Sequence, residues 1–99
     1  MSVRFVLDVR TKPGSRDDLL RAYAAIRDRV AQEPGLISHQ LCQSTDDPDR
    51  WLITSEWESL ESSSRWDRSD EHDRLTGPLR ACFASASSTK LEVLDGVHR

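Results

Sequence analysis

Two histidines and three tryptophans are the side chains of this sequence best suited to chemistry on a small molecule. His39 and His72 carry imidazoles, which titrate nearest neutral pH, so either one could remove a proton from a substrate. Trp51, Trp57 and Trp66 lie within sixteen residues of one another, and their large rigid rings could line a pocket. The combination is compatible with proton abstraction in an aromatic-lined pocket.

Each tryptophan also has a purely structural interpretation. Trp57 is the last inward residue of an alternating segment, which favours packing in the core. Trp66 is the one large apolar residue in the polar run 62–68, and the sequence favours neither a place in a pocket wall nor one in the core. Trp51 begins a strand directly after a turn, so we expect it to be a partly exposed packing residue.

The histidines likewise allow two interpretations. His72 has acidic neighbours within residues 70–73, which favours an exposed histidine on a charged helix over a catalytic one. His39 alternates with Ile37 and Leu41, so its imidazole faces the same side as apolar groups. It is therefore either a core histidine with a hydrogen-bond partner, which is the plainer interpretation, or a buried neutral base.

No motif for a metal, a nucleotide or a phosphate is present. The four glycines are spread over positions 14, 35, 77 and 96, so no glycine-rich phosphate loop can form in the usual way. The three histidines are far apart, and neither Cys42 nor Cys82 has a histidine at metal-ligand spacing. The acidic residues 46–49 lack the glycine and the glutamate of a calcium loop. We therefore expect no bound metal.

The composition limits the chain to one small domain, residues 1–99, with no room for a separate cofactor domain. The net charge of −3 argues against a nucleic-acid partner, which would require a basic face. The longest apolar run has five residues, so we expect no membrane span, and the N-terminus shows no apolar signal core. Two cysteines indicate a reducing cytoplasm, and twelve arginines among fourteen basic residues hint at a GC-rich bacterial genome.

Hydropathy patterning predicts the element order β-α-β-β-α-β. Apolar residues alternate over 3–9, 36–43 and 51–57, which predicts three strands, the last two joined as a hairpin. Apolar residues recur at helical spacing from 16 to about 32, where a Pro-Gly pair ends the helix. A second helical region begins near Ser59, with Ser69 capping a further turn, and the Gly-Pro pair at 77–78 should kink or split it before 79–83. The last strand is expected at 89–94.

This order predicts the α+β class, a ferredoxin-like βαββαβ fold with one antiparallel sheet and both helical regions on one face. The opposite face is not wholly polar. It includes Val6, Leu52 or Leu36, depending on which side of each strand faces away from the helices. Exposed apolar groups of this kind predict that a second copy covers the sheet, and thus a homodimer. A monomer with scattered apolar surface residues is the alternative.

Four segments of the chain are typical of one protein family: the first strand with residues 11–15 (TKPGS), the helix end at 32–36 (QEPGL), the strand end at 55–59 (SEWES) and the helix around Leu60-Glu61. With these segments the sequence resembles, over residues 3–94, the antibiotic biosynthesis monooxygenase family. The resemblance implies a dimeric α/β barrel built from the ferredoxin-like fold. These segments are typical of the family and its fold but do not identify a reaction.

The family includes cofactor-free oxygenases that turn anthrone-type polyketides into quinones, and also haem-degrading enzymes. The haem-degrading members have a constellation of asparagine, tryptophan and histidine. This sequence contains no asparagine, and Thr76 stands ten residues beyond Trp66, so the resemblance disfavours haem degradation. The anthrone oxygenases use an asparagine beside a tryptophan, and only Trp66 matches that pair here.

The resemblance therefore implies a cofactor-free monooxygenase that uses O₂ to oxidise a small anthrone-like aromatic substrate. A cleft between the helices and the sheet would bind the flat rings and exclude water. His72 or His39 would act as the base next to Trp66, and Arg80 would orient an anionic oxygen. The expected ring-binding residues are Leu7, Tyr23, Trp57 and Trp66.

Two functions from other classes remain open. A polyketide cyclase could use the same cleft for an aldol cyclisation, which loses water, whereas oxygenation adds oxygen to the product. A non-catalytic dimeric binding module is also compatible with the sequence, and the missing asparagine favours it mildly. An aromatic ligand would then quench the tryptophan fluorescence without forming a product.

Overall fold

The alternating segments of the chain form one four-stranded antiparallel sheet, with the helices packed on one of its faces. The computed structural model describes residues 1–99. No helix combines the length and the apolar character needed to cross a membrane. The predicted ferredoxin-like α+β class is confirmed. The elements are β1 (Val3–Thr11), α1 (Arg16–Val30), β2 (Leu36–Gln43), β3 (Arg50–Trp57), α2 (Leu60–Asp67), α3 (Asp70–Arg80) and β4 (Phe83–Glu92). The strand order in the sheet is β2-β3-β1-β4.

The core lies between the sheet and the helices, because the strands and the helices each direct a regular set of apolar side chains to that side. Val9 of β1 and Ile53 of β3 face the helices because every second residue of a strand points to the same side. Leu19 and Tyr23 of α1 are buried against them, since residues four apart lie on one helix face. Trp51 is only 3% exposed, so the expectation of a partly exposed residue was wrong: it belongs to the inward-facing row of β3.

A β-bulge in β2 changes which side chains face the core. The register with β3 shifts between Leu36 and Ser38, so an extra residue is inserted there. Ile37 consequently points outward and is 52% exposed, which corrects the expectation that it shares a face with His39. His39 itself lies opposite the buried Ser55, on the helix-covered side.

The second helical region divides earlier than the Gly-Pro pair predicts. The chain breaks between α2 and α3, where the Ser69 hydroxyl accepts a hydrogen bond from the His72 amide at 3.0 Å, as expected for a cap. Pro78, in contrast, lies inside α3, and the helix continues through it to Arg80. Pro78 has no N–H to donate to the carbonyl of Arg74, so the helix continues through it with one backbone hydrogen bond fewer.

The last strand begins at Phe83, six residues before the position expected for it, and ends at Glu92. Alanine and serine dominate its first half, and these residues have no alternating hydropathy and a low strand preference. Pairing with β1 holds them extended, with Ala86 opposite Val9 and Ser88 opposite Leu7. These two small side chains therefore lie on the helix-covered side of the sheet.

The close contact between the turn before β2 and helix α2 provides a stability test. Gly35 has φ +88°, and a Cβ there would lie 2.6 Å from both Cβ and Oγ of Ser62. Gly14 has φ +76° but nothing within 4 Å of its Cβ position, so it is a matched control for the backbone effect alone. We expect Gly14→Ala to cost about 1–2 kcal/mol of unfolding free energy. Gly35→Ala should cost roughly 1–3 kcal/mol more because of the clash.

Urea unfolding of both variants measures the difference. Repeating Gly35→Ala in a Ser62→Gly background should recover most of the additional loss, because both clashing atoms are then absent. Equal losses for the two glycine variants would show that α2 does not pack against this turn as described.

Candidate functional site

A cavity of about 350 Å³ lies on the helix-covered side of the sheet, between α3 and the β1–β4 half. The helices approach the strands most closely at β2 and β3, which leaves space above the other two strands. Cavities that bind small molecules commonly have volumes of about 300–1,000 Å³. This one is large enough for a small ligand and is mostly apolar.

The structure brings all seven predicted site residues to the wall of this one cavity. Trp57 is 2% exposed and belongs to the core as expected, and it also lines the cavity. Their roles in binding or catalysis stay predictions. The seven are Leu7, Tyr23, His39, Trp57, Trp66, His72 and Arg80.

Trp66 forms part of the wall and is held on two sides. The guanidinium of Arg29 lies 5.3 Å from the centre of its ring, within the range of a cation–π contact. The His72 ring meets it edge-on, with centroids 5.4 Å apart. Arg29 is fixed in turn by ion pairs with Glu33 at 2.9 Å and Glu71 at 2.7 Å. Trp66 is thus both a buried core residue and a rigid surface of the cavity.

His39 is hydrogen-bonded to Tyr23 within the same wall. The Tyr23 hydroxyl lies 2.8 Å from His39 Nδ1. Burial lowers the pKa of His39 to about 4, because an apolar environment disfavours the charged imidazolium. Burial also raises the pKa of the Tyr23 phenol. Both groups are therefore neutral near pH 7.

His72 lies on α3 with its side chain 26% exposed, so it is not the fully exposed surface histidine that its acidic neighbours favour. Its Nδ1 is buried and makes no hydrogen bond. The nearest acidic oxygen is Oδ1 of Asp73 at 3.5 Å, which is within ion-pair range but too distant for a good hydrogen bond. Unpaired buried nitrogens are uncommon, and this one belongs to a residue that lines the cavity.

The charged groups at the cavity leave one positive charge without a carboxylate partner. Asp67 is neutralised by Lys90, at 2.6 Å across the gap between α2 and β4. Arg80 donates to the Thr76 hydroxyl and, at 3.3 Å, to the carbonyl of Asp73, and it forms no ion pair. No group of three or more histidine, cysteine or acidic side chains has a geometry that could hold a metal ion.

Several residues of the cavity were not predicted. Ser55 lies two residues before Trp57, and Thr76 lies four residues after His72, so strand and helix periodicity could have identified both. Ser88 could not be identified because the sequence pattern places the last strand too late. The other lining residues that were missed are Phe5, Ile26, Ile53, Asp67, Leu79, Phe83 and Ala86.

The buried neutral state of His39 makes folding stability depend on pH. The unfolded state takes up this proton near pH 6.5, while the folded state takes it up only near pH 4. Stability from His39 is therefore complete above pH 6.5 and is lost as the pH falls towards 4. Between pH 6.5 and pH 4, we expect the wild type to lose up to about 3 kcal/mol more unfolding free energy than His39→Gln. Urea unfolding at several pH values measures this, and His98→Gln, in the exposed C-terminal end, should behave like wild type. Parallel curves for wild type and His39→Gln would contradict the described burial.

Comparison with known proteins relates the chain to proteins from streptomycetes. It is 46% identical over 92 residues to the 42.8 kDa protein in the whiE locus of Streptomyces coelicolor. This match covers 93% of this chain and 23% of that protein. It is 44% identical to protein SchA of Streptomyces halstedii and 36% identical to polyketide synthase CurD of Streptomyces cyaneus, each match covering 93% of this chain and 24% of the relative. The chain thus spans about a quarter of the length of these curated relatives.

Solved structures share the fold at low sequence identity. SnoaB, a cofactor-independent oxygenase from Streptomyces nogalater, superposes with a TM-score of 0.87 at 16% identity, covering 99% of this chain and 98% of SnoaB. A conserved protein from Methanosarcina mazei Go1 gives 0.86 at 18% identity, covering 92% and 91% of the two chains. The family model for antibiotic biosynthesis monooxygenase matches residues 2–76. The chain therefore belongs to the antibiotic biosynthesis monooxygenase family.

Proposed function

We propose that this protein is a cofactor-independent monooxygenase that oxidises an anthrone-like aromatic polyketide to a quinone with O₂. The observation that carries the proposal is the cavity itself, where two tryptophan rings and two histidines surround a mostly apolar space. Its volume of about 350 Å³ suits a small aromatic molecule. Family membership and the name of one curated relative, polyketide synthase CurD, support the same assignment.

The proposed reaction needs a base, an apolar enclosure and O₂. The base takes a proton from the methylene carbon of the anthrone, and the electron pair left behind is delocalised onto the carbonyl oxygen. This electron-rich anion reduces O₂, and a carbon–oxygen bond forms at the former methylene carbon. Breaking the oxygen–oxygen bond and the second carbon–hydrogen bond releases water, so one anthrone and one O₂ give one quinone and one water.

The cavity residues have distinct roles in this scheme. His72 or His39 is the base, because a neutral imidazole nitrogen can accept a proton from carbon. Trp66, with Trp57, Tyr23 and Leu7, binds the flat rings and keeps water from the reactive anion. The unpaired guanidinium of Arg80 stabilises negative charge on the substrate oxygen.

A cyclase function is the second candidate, since one relative is named as a polyketide synthase. The same aromatic walls could hold a polyketide chain during an aldol cyclisation. The product decides between the two, because oxygenation adds an oxygen atom whereas cyclisation removes water. Binding without turnover would instead leave only quenching of tryptophan fluorescence, as expected for a non-catalytic module.

We further propose that two copies associate through the uncovered face of the sheet. Ile37 and Leu91 are 52% and 49% exposed, and Val6 and Leu52 lie on the same uncovered face and are only partly buried. Leu36, which the sequence pattern also allowed there, faces the helices instead because of the bulge. Apolar groups spread over one sheet face favour burial against an equivalent face.

The proposed compartment is the bacterial cytoplasm. Cys42 and Cys82 are both free, and Cys42 is exposed, which is compatible with a reducing environment. The curated relatives come from streptomycetes, which supports a bacterial source.

Oxygen uptake with anthrone tests the reaction. We expect uptake above a no-enzyme blank, unaffected by a metal chelator, and one quinone formed for each O₂ consumed. His72→Gln should lower kcat by roughly a hundredfold, because a positioned base contributes about that factor or more. His98→Gln replaces a histidine of the exposed C-terminal end and should react like wild type.

The histidine assignment is wrong if the double replacement of His39 and His72 leaves turnover unchanged. Absence of uptake by the wild type, with anthrone nevertheless quenching tryptophan fluorescence, would favour the cyclase or the binding module over the oxygenase.

Sedimentation velocity tests the association of two copies. We expect the wild type to sediment as a dimer and Leu52→Glu to sediment as a monomer, because the new carboxylate would be buried at the centre of the shared face. Leu60→Glu is the matched control: Leu60 is 56% exposed at the start of α2, away from the uncovered face of the sheet. A monomeric wild type, or a Leu52→Glu variant that stays dimeric, would contradict this interface.

A further inference from the structure

We propose that the two histidines of the cavity are held in opposite tautomers, with Tyr23 as the residue that fixes His39. His39 then presents Nε2–H as a donor, and His72 presents Nε2 as an acceptor. The substrate class that fits is a ketone with an acidic carbon–hydrogen bond elsewhere in the same conjugated ring system. This inference deepens the proposed function and rests on it for the substrate, but the tautomers themselves can be measured without any substrate.

The contact between Tyr23 and His39 determines the first tautomer. Tyr23 is 8% exposed, and His39 Nδ1, at 2.8 Å, is the hydrogen-bond partner of its hydroxyl. If the phenol donates, its proton is satisfied and Nδ1 contributes a lone pair. If Nδ1–H donated instead, the phenol proton would be left without an acceptor in a mostly apolar wall, at a cost of about 1–3 kcal/mol. The phenol is therefore the donor.

The remaining nitrogen of His39 then carries the ring proton. The imidazole is neutral near pH 7, so it holds one proton, and Nδ1 is already occupied as an acceptor. Nε2 makes no hydrogen bond within the chain and is not one of its fully buried orphan atoms. An Nε2–H group that a ligand can reach is a hydrogen-bond donor, suited to a carbonyl oxygen.

His72 has the opposite arrangement. Its Nδ1 is the buried nitrogen, and the closest carboxylate oxygen is Oδ1 of Asp73 at 3.5 Å. A carboxylate at that distance favours a proton on Nδ1 over a lone pair there. Nε2 makes no hydrogen bond within the chain and is therefore free to accept a proton. Nε2 of His72 is thus the better placed proton acceptor of the two histidines.

These two tautomers complement the charge changes of proton removal from a ketone. When the base takes the carbon-bound proton, negative charge develops on the carbonyl oxygen. A neutral donor at that oxygen stabilises the enolate, and donors of this kind are worth roughly a hundredfold or more in rate. His39 on the sheet and His72 on α3 belong to different walls of the cavity, so donor and acceptor can act on separate atoms of one ring system.

The test is the tautomeric state of each histidine in ¹⁵N-histidine-labelled protein. Long-range proton–nitrogen correlation spectra distinguish protonated from unprotonated ring nitrogens, and His39→Gln, His72→Gln and His98→Gln assign the signals. At pH 7 we expect His39 to show unprotonated Nδ1 and protonated Nε2, and His72 to show the reverse. Tyr23→Phe removes the hydroxyl of the only tyrosine and should shift His39 towards a mixture of tautomers, while His72 stays unchanged.

Kinetics provide a second measurement for Tyr23 as a positioning residue. Tyr23→Phe keeps the ring, so the KM for anthrone should stay within about twofold, while kcat falls roughly tenfold as the donor loses its fixed orientation. Near-ultraviolet circular dichroism like that of wild type confirms that the variant is folded.

Three results would overturn the inference: protonated Nδ1 on His39, no response of His39 to Tyr23→Phe, or protonated Nε2 on His72. Failure of the proposed function is distinguishable from these. If the expected tautomers are observed but the wild type consumes no O₂ with anthrone, the hydrogen-bonding roles stand and the oxygenation proposal fails.

Discussion

The gap between α3 and the β1–β4 half of the sheet is the constraint on which the candidate site depends. Folded interiors are normally close-packed, and an unfilled volume forfeits dispersion contacts. Here the gap persists because the side chains around it cannot collapse into it. The Trp57 ring is fixed by its Nε1–H, which donates to the Ser55 hydroxyl at 2.9 Å, and Trp66 is held by Arg29. On the opposite side, Ala86 and Ser88 are too small to fill the space.

The fold was largely predictable from local patterns, because hydrophobic periodicity reports which side of a strand or helix is buried. The class, the element order and the Ser69 cap were therefore correct. The errors have a common cause, which is that the structure there depends on distant partners. The Ala-Ser half of β4 is extended only because β1 pairs with it, and the bulge at Ile37 exists only in the register with β3.

The candidate site was predictable in membership but not in arrangement. The seven expected residues were selected by residue type and family resemblance, and the cavity includes all of them. Their hydrogen bonds could not be predicted, since Tyr23 and His39 lie sixteen residues apart on different elements. Arg29 behind Trp66 was also missed, because a surface arginine on a helix has no sequence feature that indicates what it covers. Tertiary placement determines both contacts, and both control how the cavity side chains are oriented.

The electrostatics of the cavity suit a reaction that starts from a neutral molecule and passes through an anion. The Asp67 carboxylate would repel such an anion, but Lys90 neutralises it at 2.6 Å. Arg80 contributes a positive charge without a carboxylate partner, and hydrogen bonds to Thr76 and to the Asp73 carbonyl fix its direction. A neutral substrate gains little from this charge, whereas an enolate gains much more in an apolar enclosure. On the proposed mechanism, the cavity thus favours the deprotonated species over the substrate, which is the difference in binding that lowers a barrier.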